Sequence, residues 1–217
     1  MSQLITLDVQ DGIVMVADSR TTYCEKYPFY SDSSNKLFVT NSHVGISTCG
    51  DATINDRRIQ LFIEEFIKEN HDLNAVDASR SLLAYFKELK GDLDTIFHVA
   101  GYVDGEPKVL RVFTKEGTIT NCEHKYCGLI WNGDNYVIGR LLNKFFSMKD
   151  DQTPGNKITY RQVPWETFLI QDAIDFAVFA MNTAMSMQRF HKEKQTIGGP
   201  IDILVIKKDS STWYAHK

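Results

Sequence analysis

The sequence has few of the features that mark secreted or membrane proteins. Its 217 residues include only four cysteines (Cys24, Cys49, Cys122 and Cys127), and their spacing is not that of a disulfide framework. No apolar run reaches the ~20 residues that a membrane-spanning helix needs, and the richest candidate, 168–187, is interrupted by acidic and amide side chains. No charged-then-apolar signal segment is present either. We therefore expect a soluble, cytoplasmic protein.

An excess of positive charge is also missing. Lys and Arg number 24 against 28 Asp and Glu, a formal net charge of −4, and no basic cluster carries interleaved aromatic residues. Because contacts between basic side chains and phosphates dominate binding to nucleic acids and anionic membranes, neither partner is favoured.

One segment, Cys122-Glu-His124-Lys-Tyr-Cys127, has residue types that bind metals. Its spacing is not a usual zinc pattern, and residues five apart on a strand face opposite sides of the sheet. We expect ordinary strand cysteines here, with no metal ion and no other cofactor.

What remains is an ordinary globular composition, with 43% hydrophobic and 24% charged residues. A chain of this length can bury one substantial core, so we predict a single domain over residues 1–217.

The beginning of the chain predicts a β-hairpin. Two short apolar runs, 4–9 and 13–17, flank the pair Asp11-Gly12, which is a strong hairpin signal. The first strand would begin beside Ser2 and the second would end near Asp18. Because antiparallel pairing brings these ends together, the pattern predicts a serine close to a carboxylate.

The rest of the chain alternates between strands and helices. After a loop over 21–35, Gly50-Asp51 follows a second hairpin, and Asp51 is a candidate N-cap for a helix that runs towards Asn70. We predict further helices at 75–90, 135–146 and 165–189, a surface loop at 147–162, and strands at 95–102, 108–113, 118–123, 125–130, 201–206 and 212–214. Strands in hairpins and helices in pairs predict an α+β fold in which two antiparallel sheets are covered by helix pairs, a four-layer α-β-β-α sandwich.

Over essentially its whole length the chain resembles the proteasome-type N-terminal nucleophile hydrolases, which include proteasome β-subunits and the bacterial HslV protease. The most specific parts are 11–20, Lys36, 47–52, Asn132-Gly133 and 198–206. The sequence separations between Ser2 and Asp18 and between Lys36 and Gly50 equal those between the corresponding residues of the family. The resemblance implies the same sandwich, the N-terminal nucleophile hydrolase fold.

The resemblance also implies a nucleophile. The family usually uses a threonine that processing exposes, and the matching residue here is Ser2; methionine aminopeptidase is expected to remove Met1 before so small a residue. A serine hydroxyl needs a base, and a free α-amine with a pKa of ~7.7–8.0 is suited to that task. Lys36, which matches the family lysine, would disfavour protonation of that amine, and Asp18 is its natural counter-ion.

Other site residues follow from the same resemblance. The backbone N–H of Gly50, at a strand-to-helix turn, would stabilise the oxyanion. Thr22 would pair with an extended substrate, and Thr48 and Ala52 would shape the pocket for the residue before the cut. Asn132 replaces the family serine that precedes the third helix and keeps the ability to hydrogen-bond.

The sequence departs from the family at two positions. Many β-subunits have an aspartate and a serine, which support the amine, where this chain has Lys194 and Ile197, and a lysine reverses the charge there. Each matched residue also has an ordinary interpretation: Asp18 as a solvated strand end, Lys36 as a surface lysine, Gly50 as a helix-start glycine.

These features favour a threonine/serine-type peptidase that acts on peptides or unfolded proteins inside a homo-oligomeric ring, with an ATPase unfoldase as partner by resemblance. One alternative is a non-catalytic ring or scaffold subunit. The chain lacks the helical extension that α-type subunits carry before the first strand, which favours the catalytic hypothesis. A second alternative is a hydrolase of small amides.

Overall fold

The computed structural model describes residues 2–23, 29–122, 128–142, 146–148, 153–157, 162–192 and 194–217. The strands are β1 (Gln3–Val9), β2 (Gly12–Asp18), β3 (Thr21–Tyr23), β4 (Phe29–Ser31), β5 (Leu37–Val39), β6 (Gly45–Gly50), β7 (Thr53–Ile54), β8 (Arg57–Arg58), β9 (Thr95–Val103), β10 (Glu106–Phe113), β11 (Thr118–Asn121), β12 (Gly128–Gly133), β13 (Phe146–Met148), β14 (Pro154–Lys157), β15 (Ile201–Lys207) and β16 (Ser210–Ala215). The helices are α1 (Ile59–Glu69), α2 (Ala75–Leu89), α3 (Tyr136–Leu142) and α4 (Ile170–Gln188).

The strands form two larger sheets. Sheet A has the order β12-β1-β2-β15-β16, and sheet B has the order β11-β10-β9-β6-β5. All pairings within both sheets are antiparallel, as are those of the small hairpins β3–β4, β7–β8 and β13–β14. The prediction of antiparallel sheets in a mixed α and β chain is confirmed.

Three clusters of buried apolar side chains account for the packing. In the first, α1 and α2 cover sheet B, with the Phe86 ring against that of Phe97. In the second, α3 and α4 cover sheet A, and small α4 residues such as Ala177 let the helix approach closely. The third cluster lies between the two sheets and combines Leu4 and other residues of sheet A with residues of sheet B. Each helix pair therefore packs on a different sheet.

The first hairpin is present, but its turn lies one residue earlier than the Asp-Gly signal suggests. Val9 pairs with Gly12, so Gln10 and Asp11 form the turn. A Cβ at Gly12 would lie 2.8 Å from Ile170 Cδ1 and 2.9 Å from the Ile206 carbonyl oxygen. Glycine is required here for close packing, since no side chain fits between the strand and the start of α4.

The predicted start of the first helix at Asp51 is wrong. Residues 53–58 form the hairpin β7–β8, whose turn residues Asn55 and Asp56 have φ of 49° and 62°. Asn and Asp tolerate this left-handed region better than other non-glycine residues. The helix begins only at Ile59, after Arg58 in extended conformation. The periodic apolar residues from Ile59 onwards mark it correctly.

Three other boundaries differ from the prediction. The predicted loop at 21–35 contains β3 and β4, and the predicted loop at 147–162 contains parts of β13 and β14. The third helix ends at Leu142 in place of residue 146. Backbone pairing between segments makes these short hairpins, and no local apolar pattern marks them.

The longest helix starts at Ile170 and not at residue 165. Residues Trp165–Thr167 form a 3-10 turn, and the Asp172 carboxylate accepts a hydrogen bond from the Leu169 N–H at 2.9 Å, which caps the helix there. Leu169 and Met187 are 48% and 37% exposed, so not every apolar residue at the start and end of α4 faces the core. Among the described residues, no helix combines the length and the apolar character needed to cross a membrane.

Candidate active site

Asp18, at the end of β2, lies at the centre of the site. It is completely buried, and its Oδ1 accepts hydrogen bonds from the backbone N–H of Gln3 (3.0 Å) and from Lys36 Nζ (2.8 Å). Its Oδ2 accepts from the N–H groups of Arg20 and Gly198, both at 3.1 Å. Four donors on two oxygens satisfy the carboxylate and stabilise its negative charge without solvent.

Lys36 lies beside this carboxylate and is itself buried, with 6% of its side chain exposed. Its ammonium also donates to the backbone oxygen of Arg20. Burial lowers the pKa of Lys36, and the neighbouring Asp18 charge opposes that shift. The ammonium is therefore desolvated yet paired, and its field acts strongly on groups next to it.

A cleft opens over Lys36 and brings most of the predicted site residues together. It is lined by Ser2, Thr22, Lys36, Thr48, Gly50 and Ala52, among others. Asp18 lies beneath its floor, behind Lys36. Asn132 is not among the residues that line it.

Cys49 also lines the cleft, as a second nucleophilic side chain. It is 5% exposed, and burial raises the pKa of its thiol to about 12. Because the thiolate is the reactive form of cysteine, Cys49 is a weak nucleophile at neutral pH.

Gly50 ends β6 with φ of 119°, where a Cβ would lie 2.2 Å from the Asp94 carbonyl oxygen. Only glycine fits this position. The expected helix N-terminus is absent, because α1 begins at Ile59. Any oxyanion stabilisation by Gly50 would come from its backbone N–H alone, without a helix dipole.

Asn132 lies in β12 opposite Leu4. Its Oδ1 is 2.8 Å from Nε2 of His98, and His98 Nδ1 is 2.9 Å from Thr6 Oγ1. His98 is completely buried, and burial lowers its pKa to about 4. Sequence reasoning missed His98 and Thr6, because a single histidine within a strand carries no motif.

Arg20 was also missed as an organising residue. Its guanidinium binds Asp32 through two hydrogen bonds, of 2.7 Å and 2.8 Å, and lowers the pKa of that carboxyl. It donates a third to Gln195 at 3.2 Å. A Cβ at Gly198 would lie 2.5 Å from Arg20 Cζ, so glycine lets the two segments meet. Arg20 belongs to the motif 11–20, but its partners are remote in sequence.

The segment before Gly198 holds Lys194 and Ile197, the two positions at which the sequence departs from the resemblance. Ile197 is 2% exposed and belongs to the apolar cluster under α4. The N–H groups of Thr196 and Ile197 donate to Gln188 Oε1 at 2.8 Å and 3.1 Å. Gln188 Nε2 donates to Asp134 Oδ2 at 2.7 Å, and the Asp134 N–H donates to the Ser2 carbonyl oxygen at 3.0 Å. This segment therefore reaches Ser2 through Gln188 and Asp134, while Lys194 is exposed.

The segment predicted to hold ordinary strand cysteines lies, apart from Cys122, outside the described residues. Among the residues that are described, no group of three or more His, Cys, Asp or Glu side chains is arranged to hold a metal ion.

No protein-family model matches the sequence, and no curated protein is significantly similar to it. Solved structures are similar. Anbu from Hyphomicrobium sp. strain MC1 superposes with a TM-score of 0.70 at 15% identity over 99% of this chain and 86% of its own. A mutant of that protein gives 0.71 at 15% identity, over 100% and 86%. Anbu from Yersinia bercovieri, described as an ancestral beta-subunit, gives 0.67 at 13% identity, over 99% and 88%. At such identities the likeness establishes that this chain shares the fold of these Anbu proteins, and it carries no information on activity.

Proposed function

We propose that this protein is an N-terminal serine peptidase of the proteasome and HslV kind, in which Ser2 acts after removal of Met1. One observation carries the proposal: Ser2, Lys36 and Gly50 line one cleft, and Lys36 is paired with the buried Asp18 at 2.8 Å. Such an arrangement supplies a nucleophile, a desolvated cation and a backbone donor within one concave site.

The chemistry would proceed through an ester. The free α-amine of Ser2 accepts the hydroxyl proton as Oγ forms a bond to the peptide carbonyl carbon, and the carbonyl electron pair moves to oxygen. The oxyanion accepts a hydrogen bond from the Gly50 N–H. Collapse breaks the C–N bond, and the amine returns the proton to the leaving nitrogen. Water, activated by the same amine, then hydrolyses the ester and restores Ser2.

Lys36 would act on this cycle through its charge. A cation close to the α-amine disfavours a second positive charge and keeps the amine unprotonated as a base. Asp18 holds Lys36 in place and balances its charge. Thr22 would pair with the substrate backbone, Thr48 and Ala52 would border the side chain before the cut, and Asn132 would support the nucleophile.

The proposal extends to architecture and partners. The three apolar clusters are those expected between the four layers of an α-β-β-α sandwich, formed by one domain over residues 1–217. By analogy with proteasome-like proteins, we propose a homo-oligomeric ring in the cytoplasm that encloses the sites, an ATPase unfoldase as partner, and peptides or unfolded proteins as substrates.

Intact mass before and after incubation with a peptide epoxyketone, which bonds to both a nucleophile hydroxyl and a free α-amine, tests the mechanism directly. We expect loss of Met1 and one adduct per chain. Ser2→Thr, the family nucleophile, should still form the adduct, whereas Ser2→Ala should remain folded and form none. A folded Ser2→Ala protein that still hydrolyses peptides would refute the mechanism.

A non-catalytic ring subunit is the second candidate, and Ile197 favours it. Its side chain is buried in the core at the position where the family has a supporting serine. A protein that retains Met1 and forms no adduct would support this candidate. Turnover of small amides without turnover of a peptide panel would instead indicate an amidase.

A further inference from the structure

A buried histidine joins the two sheets. His98 belongs to β9 of sheet B, while Thr6 and Asn132 belong to β1 and β12 of sheet A. Its ring nitrogens lie 2.9 Å from Thr6 Oγ1 and 2.8 Å from Asn132 Oδ1, and no part of the residue is exposed. Both ring nitrogens are therefore satisfied by sheet A.

The chemistry of the three partners gives these hydrogen bonds a direction. Burial lowers the pKa of His98 to about 4, and the charge of Arg111, its partner in β10, acts in the same direction, so the ring is neutral near pH 7. A neutral ring has one N–H, and an amide oxygen can only accept. Nε2 therefore donates to Asn132 Oδ1, and Nδ1 accepts from the Thr6 hydroxyl. The amide NH₂ of Asn132 remains for another acceptor.

The strand register places that NH₂ on the same face as the nucleophile. Side chains alternate along a strand, so Leu4 and Thr6 share one face of β1, and Leu4 belongs to the cluster between the sheets. Ser2 directly precedes β1 and continues its register, since the Asp134 N–H donates to the Ser2 carbonyl oxygen at 3.0 Å. Asn132 is the direct partner of Leu4, and it is therefore a diagonal neighbour of Ser2 on that face. Diagonal neighbours lie ~7–8 Å apart, so the Asn132 and Ser2 side chains occupy adjacent positions on that face.

We propose that His98 is a positioning residue for the Ser2 reaction, holding the Asn132 amide so that its NH₂ is directed towards the nucleophile, while Thr6 fixes the orientation of the histidine. The inference rests on the proposed function. A purely structural role, in which the histidine only joins the sheets, is the competing explanation.

A double-mutant cycle separates the two. In the full-length protein, kcat and KM for a peptide and the Tm are measured for wild type, His98→Leu, Asn132→Ala and the double variant. We expect His98→Leu to lower kcat on the order of tenfold with little change in KM, and to add no further loss of kcat in the Asn132→Ala background. His98→Gln, which retains a donor for Asn132, should recover most of the rate. If His98 only joins the sheets, His98→Leu should lower Tm both in wild type and in Asn132→Ala. Its effect on kcat should then be absent, or should multiply with the effect of Asn132→Ala.

Thr6→Val, a near-isosteric change, keeps the test decisive if His98→Leu does not fold. It removes only the hydroxyl that fixes Nδ1, and its effect on kcat should likewise disappear in the Asn132→Ala background. A folded Thr6→Val protein with wild-type kcat would overturn the inference. The epoxyketone adduct distinguishes a failure of the role of His98 from a failure of the proposed function. Wild type that forms the adduct, with variants of unchanged kcat, overturns only the role of His98, whereas processed wild type that forms no adduct overturns the proposed function and this inference together.

Discussion

Asp18 and Asp202 are both completely buried carboxylates at neighbouring positions of sheet A, yet they are bound in different ways. In the register of β2 and β15, Asp18 pairs with Ile201 and Ala17 pairs with Asp202, so the two acids are offset by one position along the strands. Each meets a lysine, Lys36 for Asp18 and Lys217 for Asp202. The role of each ion pair therefore depends on the residues that surround it.

The donors to the two carboxylates come from different parts of the chain. Asp18 accepts from Gln3, Arg20, Lys36 and Gly198, of which only Arg20 lies near it in sequence. Among the described residues, the donors to Asp202 are His216 Nδ1 at 3.0 Å, the Lys217 N–H at 3.1 Å, and Lys217 Nζ. Lys217 Nζ also donates to Ser19 Oγ at 2.6 Å, and neither residue lines the cleft. The Asp18–Lys36 pair connects several segments and reaches the cleft through Lys36. The Asp202–Lys217 pair holds residues 216 and 217 against sheet A.

Asp18→Asn should have the largest effect, because it leaves the buried Lys36 ammonium without a counter-charge. Removing one partner of a buried ion pair costs about 3–5 kcal/mol of unfolding free energy, and formation of the epoxyketone adduct should be lost with it. Denaturant unfolding measures the first and intact mass the second. Asp202→Asn is the matched control, which should lower stability but keep the adduct. Equal loss of adduct in both variants would contradict the different roles of Asp18 and Asp202.

Lys36→Met should separate chemistry from stability. Asp18 keeps three backbone N–H donors, so the loss of stability should be smaller than for Asp18→Asn. If Lys36 keeps the α-amine unprotonated, as proposed, its removal should slow adduct formation by on the order of 10²–10⁴-fold. The rate of adduct formation and the denaturation midpoint give the two readouts. If the Lys36→Met protein reacts at the wild-type rate, Asp18, like Asp202, only holds segments of the chain together.

His98 extends the comparison to a buried group that is neutral. Its folded pKa, about 4, lies below its ordinary value of 6.5, so the folded state holds fewer protons between these values. Its contribution to stability is full above pH 6.5 and decreases by about 3 kcal/mol as the pH falls to about 4. Denaturant unfolding from pH 4 to 7 measures it as the difference between wild type and His98→Gln.

That difference is needed because Asp8 acts in the opposite direction. Burial raises the pKa of Asp8 to about 6, so its contribution decreases as the pH rises from 3.8 to 6. Asp8 is common to both proteins and cancels. Equal pH slopes for wild type and His98→Gln would contradict a neutral, buried histidine.

Lys217→Met should have the smallest effect and sharpens the contrast with Lys36. Asp202 retains His216 and the Lys217 N–H as donors, so the unfolding free energy should fall by about 1–3 kcal/mol, as for a buried group that loses one partner. Because Lys217 does not line the cleft, the rate of adduct formation should stay close to that of wild type. A large loss of rate without a loss of stability would show that the two ion pairs act as one unit.

The sequence could predict elements whose cause is local. The predicted helix at 75–90 agrees with α2 to within one residue, since its apolar face has helical spacing. Asn74 caps this helix by accepting hydrogen bonds from the N–H groups of Val76 and Asp77. The first hairpin followed from two apolar runs and a turn signal. The start of α1 was missed because the turn Asn55-Asp56 allows a hairpin that leaves no apolar periodicity.

The site divides in the same way. The proximity of Ser2 and Asp18 follows from one hairpin, and the sequence alone determined it, because antiparallel pairing relates residues a fixed distance from the turn. The tertiary structure alone decided that Gly198, 180 residues away from Asp18, completes its hydrogen bonds, and that His98 meets Asn132 across the two sheets. A buried polar atom takes its partner from whichever segment packs against it, and that choice is made by the whole fold and not by the neighbouring residues.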